Sequence, residues 1–167
     1  TEFHFTGDIT AIQDETIHQD LNDIDIIIGG PPCQGFSSAN RYLKEDDDPR
    51  NKLFFEYLRF VNIINPKVFV IENVPGILTR DQGYAKNKII DITESYGYDV
   101  KVQVLSSENY GVPEIRKRAF FIGFRKDLNI NFDFDNIEPL FENTTVFDAI
   151  KDLEPLESGQ MYNTLFA

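Results

Sequence analysis

One ten-residue stretch concentrates reactive chemistry. Gly29-Gly30-Pro31-Pro32-Cys33-Gln34-Gly35-Phe36-Ser37-Ser38 holds the only cysteine of the chain. A thiolate is a potent nucleophile, whereas a lone cysteine is ordinarily a small buried hydrophobe. Cys33 lies outside any apolar run, among Pro, Gln, Gly and Ser, where burial brings no evident gain. Pro31 and Pro32 restrict the backbone and suit a loop that presents the sulfur. A second candidate is Glu72, followed by Asn73, directly after the apolar run 68–71. A carboxylate there costs several kcal/mol if desolvated without a partner, so it needs a reason; a plain loop or helix-start carboxylate is the competing reading. The third is Arg116 and Arg118, alternating with Ile115 and Lys117 at the start of a strand, which projects both guanidiniums to one side. Two such forks suit a carbonyl or phosphate oxygen. Charges guarding an edge strand would look the same.

These residues are useful only if a scaffold gathers them. Residues 24–28 are mostly β-branched and end at Gly29-Gly30, the pattern of a strand buried on both faces. Leu53, Phe54, Tyr57, Leu58, Val61 and Ile64 recur at helical spacing over 51–64, and Pro66 stops the helix. A second strand is expected over 68–71, a helix over 82–96 and further strands over 100–105 and 119–124, with a short one at 3–5. Residues 144–153 read as one more helix. Strand and helix in alternation predict an α/β fold with a mostly parallel sheet, and the short link between the last two strands predicts an antiparallel closing pair. Ligands of such sheets collect beyond the carboxyl ends of the strands. If strands 24–28 and 68–71 are neighbours, Cys33 and Glu72 face one crevice.

The bulk composition sets the class. With 167 residues, 41% hydrophobic, and 15 Phe with 7 Tyr, the chain is too aromatic for disorder and sized for one domain. One cysteine forms no internal disulfide, and neither a secretory leader nor an 18-residue apolar span is visible, so a soluble intracellular protein is expected. A net charge of -12 repels nucleic acid in bulk, although Arg41, Arg50, Lys52, Arg116, Lys117 and Arg118 fall near the motifs. Thr1 opens the chain in mid-pattern, which suggests a fragment.

Three blocks, GGPPCQGFS, DPRNKLFFEYLRFVNIINPKVFVIENVPGIL and NYGVPEIRKRAFFIGF, closely resemble in order and spacing the Pro-Cys-Gln, Glu-Asn-Val and Gln-X-Arg-X-Arg blocks of the cytosine-C5 DNA methyltransferases. GDIT at 7–10 resembles the preceding block. The resemblance runs from about residue 3 to 125 and thins through TVFDAIKDLEPL. It implies a Rossmann-like methyltransferase fold, incomplete in this chain, with 1–130 as a partial catalytic domain and 131–167 as an irregular extension toward a target-recognition region. It also implies transfer of a methyl group from S-adenosylmethionine to C5 of a cytosine flipped out of duplex DNA. Cys33 then matches the nucleophile that adds to C6, Glu72 the carboxyl at N3 and the exocyclic amine, and Arg118 with Arg116 the guanidiniums at the O2 edge. Asp8, Pro32 and Leu53 match cofactor positions, while Gln34, Ser37 and Asn73 fall on the substrate side. The setting implied is a bacterial cytoplasm and a restriction-modification system, with a restriction endonuclease as candidate partner. Neither membrane nor metal enters.

The chain departs from that pattern in two ways. Glu114 stands where the family has Gln, and the glycine-rich cofactor block, its acidic ribose contact and the target-recognition region have no counterpart here. The chain alone is therefore expected to bind cofactor weakly or not at all and not to methylate. Two other readings keep the scaffold: a methyltransferase for cytosine in transfer RNA, against which the lack of a Cys-Phe-Thr tripeptide counts, and a non-catalytic partner, which commonly loses the thiol or the Glu-Asn pair. A thiol hydrolase is disfavoured because His4 and His18 lie far from Cys33 in sequence.

Overall fold

The computed structural model describes residues 5–21, 23–32, 52–140 and 144–153. Cys33, Gln34 and Ser37 lie outside them, as do two residues of the expected strand 3–5, whose third, Phe5, is not in a strand. The chain divides into two compact units, one formed by Thr1–Leu105 with Lys117–Glu138 and the other by Ser106–Arg116 with Pro139–Ala167.

In the first unit a short helix α1 (Asp14–Asp20) precedes strand β1 (Ile26–Gly29), helix α2 (Lys52–Ile64), strand β2 (Val68–Asn73), helix α3 (Tyr84–Ser95), strand β3 (Tyr98–Ser106) and strand β4 (Lys117–Arg125). Ser106, the last residue of β3, already belongs to the second unit, which carries helix α4 (Val146–Ile150). Phe54, Tyr57, Leu58 and Val61 are buried on α2 at offsets of three, four and seven residues, the stripe an amphipathic helix turns toward a core. Asn65, in the left-handed region at φ 51°, and Pro66 then stop the helix.

The strands run in the order β1-β2-β4-β3. β1 and β2 are parallel, with Ile26 opposite Val68 and Gly29 opposite Ile71. β2 and β4 are antiparallel, from Val68 opposite Phe124 to Asn73 opposite Ala119. The described sheet is thus mixed, and β4 fills a place between β2 and β3. One face of β2, through Phe69 and Ile71, joins Phe121, Ala119, Tyr98, the α2 stripe, and Ala85 and Ile89 of α3 in a single apolar core. Full burial of side chains of this kind contributes roughly 1.5–3 kcal/mol each. Gly123 is required by that packing, because a Cβ there would lie 2.0 Å from the ring of Phe69 on the facing strand.

β1 corrects the expectation of burial on both faces. Ile27 packs against the core and Gly29 lies over Tyr57 of α2, but Ile26 and Ile28, on the alternate face, are 54% and 74% exposed. Among the described residues, the helix layer covers one side of this strand.

Candidate active site

The parallel register carries the ends of β1 and β2 to the same level, so the residues after Gly29 come beside Glu72 and Asn73. Glu72 and Asn73 lie within β2 and not beyond it, so strand alternation decides where each side chain goes. Asn73 takes the buried side at 7% exposure. Its Nδ2 donates to the Pro31 carbonyl at 2.9 Å, and its Oδ1 accepts the Val74 N–H at 2.9 Å. The amide therefore ties down the proline segment on one side and the turn after β2 on the other.

Glu72 takes the opposite side and stands across from Phe120. Arg118, two residues before Phe120 on β4, shares that face as a diagonal cross-strand neighbour. Its Nε lies 2.7 Å from Glu72 Oε1, and its Nη1 donates to the Lys117 carbonyl at 2.8 Å. The second carboxylate oxygen faces the β1 end, where a Cβ on Gly30 would come within 3.1 Å of Oε2. A charge-assisted contact of this length fixes the orientation of the carboxylate. With Glu72 at 37% and Arg118 at 22% exposure, the pair stays open to a ligand from solvent.

Arg116 precedes β4 and belongs to the second unit, where its Nη1 lies 3.8 Å from Glu114 Oε1. In that unit the Ser107 hydroxyl donates to the Glu114 carbonyl, and the Arg116 N–H donates to the Ser107 hydroxyl oxygen at 3.1 Å. The structure thus joins Glu72 with Arg118 and pairs Arg116 with Glu114.

Of the expected cofactor positions, Asp8 caps a short 3-10 turn (Ile9–Ala11), its Oδ1 accepting the Thr10 N–H at 2.9 Å. That backbone hydrogen bond, with a second from the Thr10 side chain and the nearby Lys52 charge, holds the Asp8 carboxyl below the usual carboxylate range. Lys52 opens α2 and is followed by Leu53, an apolar side chain left 43% exposed. Pro32 is exposed as well. Asp8 thus offers an ionised acceptor and Leu53 an uncovered apolar surface, the two chemistries that the amine edge and ring faces of an adenine would require. Among the described residues no group of three metal-ligating side chains occurs, and no helix is long and apolar enough to cross a membrane.

Sequence reasoning treated Tyr57 as core alone. Its ring does lie in the core, but its hydroxyl donates to the Val70 carbonyl at 2.9 Å and is 3.3 Å from the Ile27 carbonyl, reaching both strands beneath the site. Burial pushes that hydroxyl's pKa up, so it stays a donor. The signal was the doubled glycine: a Cβ at Gly29 would fall 2.6 Å from the Tyr57 ring.

The family model described as C-5 cytosine-specific DNA methylase matches residues 2–166. The chain belongs to this family. Among curated relatives, Type II methyltransferase M.DdeI of Desulfomicrobium norvegicum is 43% identical over 164 residues, covering 93% of this chain and 38% of the relative. Type II methyltransferase M.FnuDI of Fusobacterium nucleatum is 44% identical over 141 residues, covering 84% of this chain and 41% of the relative. A solved E. coli prophage protein described as a DNA modification methyltransferase aligns with a TM-score of 0.71 at 35% identity, covering 90% of this chain and 42% of its own. The chain therefore has the α/β methyltransferase fold and spans about two fifths of the length of the relatives it matches.

Proposed function

We propose that this chain is the catalytic portion of a DNA (cytosine-5-)-methyltransferase of a bacterial restriction-modification system, acting on a cytosine flipped from duplex DNA. The observation that carries the reading is the Arg118–Glu72 pair at the mouth of β2 and β4, beside the segment Gly30-Pro31 that runs on to Cys33.

Cytosine C5 is a poor nucleophile, and the proposed chemistry makes it a better one. Cys33, as thiolate, adds to C6 and forms a C–S bond, and the displaced electron pair gives C5 enamine character. Glu72 contacts N3 and the exocyclic amine, and the proton it delivers to N3 offsets the negative charge that the thiolate brings onto the ring during addition. Arg118 keeps the carboxylate turned toward the base and presents its guanidinium to the O2 edge. S-adenosylmethionine, when bound, would supply an electrophilic methyl group, its sulfonium sulfur keeping the electron pair of the broken S–CH3 bond and leaving as a neutral thioether; Asp8, Leu53 and Pro32 would hold it. After C5 has taken the methyl group, a base removes the C5 proton and the thiolate of Cys33 is expelled, which restores the ring. Gln34 and Ser37 are assigned to the substrate side, and Asn73 serves it by holding Pro31.

The 167-residue chain alone is proposed to leave DNA unmethylated, in line with its share of the relatives' length. The natural protein containing it is expected to transfer label from S-adenosylmethionine to a cytosine duplex and to leave transfer RNA unlabelled. Trapping by a 5-fluorocytosine duplex should yield a covalent complex lost in Cys33→Ser. A duplex labelled equally well by Cys33→Ser would remove the nucleophile from the scheme.

A further inference from the structure

We infer that Tyr57 is a positioning residue: it sets the spacing between the ends of β1 and β2, and so the point at which the chain enters residue 33 relative to Glu72. The inference rests on the proposed pairing of Cys33 with Glu72.

Two adjacent glycines face opposite ways at the end of β1. Gly29 opens toward α2, with the Tyr57 ring in the space a Cβ would fill, and Gly30 opens toward the Glu72 carboxylate. The Tyr57 ring limits how far β1 can settle onto α2. Its hydroxyl, within reach of Ile27 on β1 and Val70 on β2, holds the two strands at one level just before Gly30, which follows β1, and Glu72, near the end of β2. The next fixed point, Pro31, hangs from Asn73 of β2. From Gly29 to Pro31 the chain is thus located from below by α2 and from the side by β2. Neither residue that locates it need touch a substrate. Errors of about an ångström in placing a reacting group can cost on the order of a hundredfold in rate, so a ring under the strand matters to chemistry above it.

The test uses the natural protein that contains this chain. Tyr57→Phe keeps the ring and removes the hydroxyl. It is expected to lower kcat and the rate of covalent trapping by a 5-fluorocytosine duplex by about fivefold, the scale of one lost neutral hydrogen bond, with KM for cofactor and DNA within about twofold. Gly29→Ala is expected to slow trapping more strongly, because its methyl group meets the ring. Tyr57→Val, which lacks the colliding ring atoms, should partly restore the rate when combined with Gly29→Ala, a coupling that independent structural damage does not give. Trapping rates per folded molecule equal to wild type in Tyr57→Phe, or strictly additive losses in the double variant, would overturn the positioning role while leaving the catalytic reading intact. Failure of the wild-type protein to be trapped at Cys33 would instead remove the catalytic reading and this inference with it.

Discussion

Glu72 is held in place by one guanidinium and faces an open mouth, so its contributions to stability and to chemistry can be separated. A partly exposed ion pair contributes about 0–1 kcal/mol to folding. A carboxyl group that transfers a proton to the reacting ring contributes roughly 10²–10⁴ in rate. Glu72→Gln in the natural protein is therefore expected to unfold within about 1 kcal/mol of wild type in urea while losing at least about a hundredfold in kcat. Arg118→Lys keeps the charge but loses the fork, and should cost about tenfold in methyl transfer. Asp8 titrates in a defined direction. Its folded pKa is depressed, so its contribution to stability is present above the unfolded value and is lost as pH falls through the lower folded one. Carboxyl-carbon NMR should give Asp8 a midpoint below that of an unstructured peptide; a midpoint at or above it would mean that the Thr10 cap does not form. Glu72 and Arg118, which the structure joins, stood out in the sequence because their types are unusual for their surroundings, whereas Cys33 lies outside the described residues. Tyr57 was hidden because a tyrosine at a core position of a helix reads as packing, and its distance to two carbonyls reveals a second task.

Strand β2 shows what alternation does for a site. Phe69, Ile71 and Asn73 go to the core side, Val70 and Glu72 to the other, and one run of six residues builds both the packing and the crevice wall. Gly123→Ala is expected to destabilise the chain by about 1–3 kcal/mol in chemical denaturation, since the methyl group would be driven into the Phe69 ring. Element types and order were legible over α2, β2, α3, β3 and β4 because their apolar periods are strong. Helix α1 was missed: its seven residues, DETIHQD, bury only Ile17, too little for a period to emerge. It is secured from outside the pattern, by Arg59 of α2, which pairs with Asp14 and donates to the Ile12 carbonyl at 3.0 Å. The over-burial expected for β1 has a related cause. An unbroken β-branched run reports a strand but not how many layers cover it.

At the scale of the whole molecule, the polypeptide leaves the first unit after Leu105, returns at Lys117 and leaves again after Glu138. The two stretches of the second unit depend on one another: the Leu140 N–H donates to the Asn109 carbonyl at 2.8 Å, and the Leu140 side chain lies 3.3 Å from where a Cβ on Gly111 would be. Gly111 itself sits at φ 76°, in the left-handed region that disfavours any side chain. A stop codon after residue 138 is expected to expose the Asn109–Gly111 turn, read as faster amide exchange there, while exchange in β2 and β4 is unchanged. A unit threaded twice cannot be trimmed from one end. Recombination between relatives faces the same rule: a crossover that moves residues 139 onward without 106–116 pairs halves from two parents, so these segments must be inherited together as one cassette.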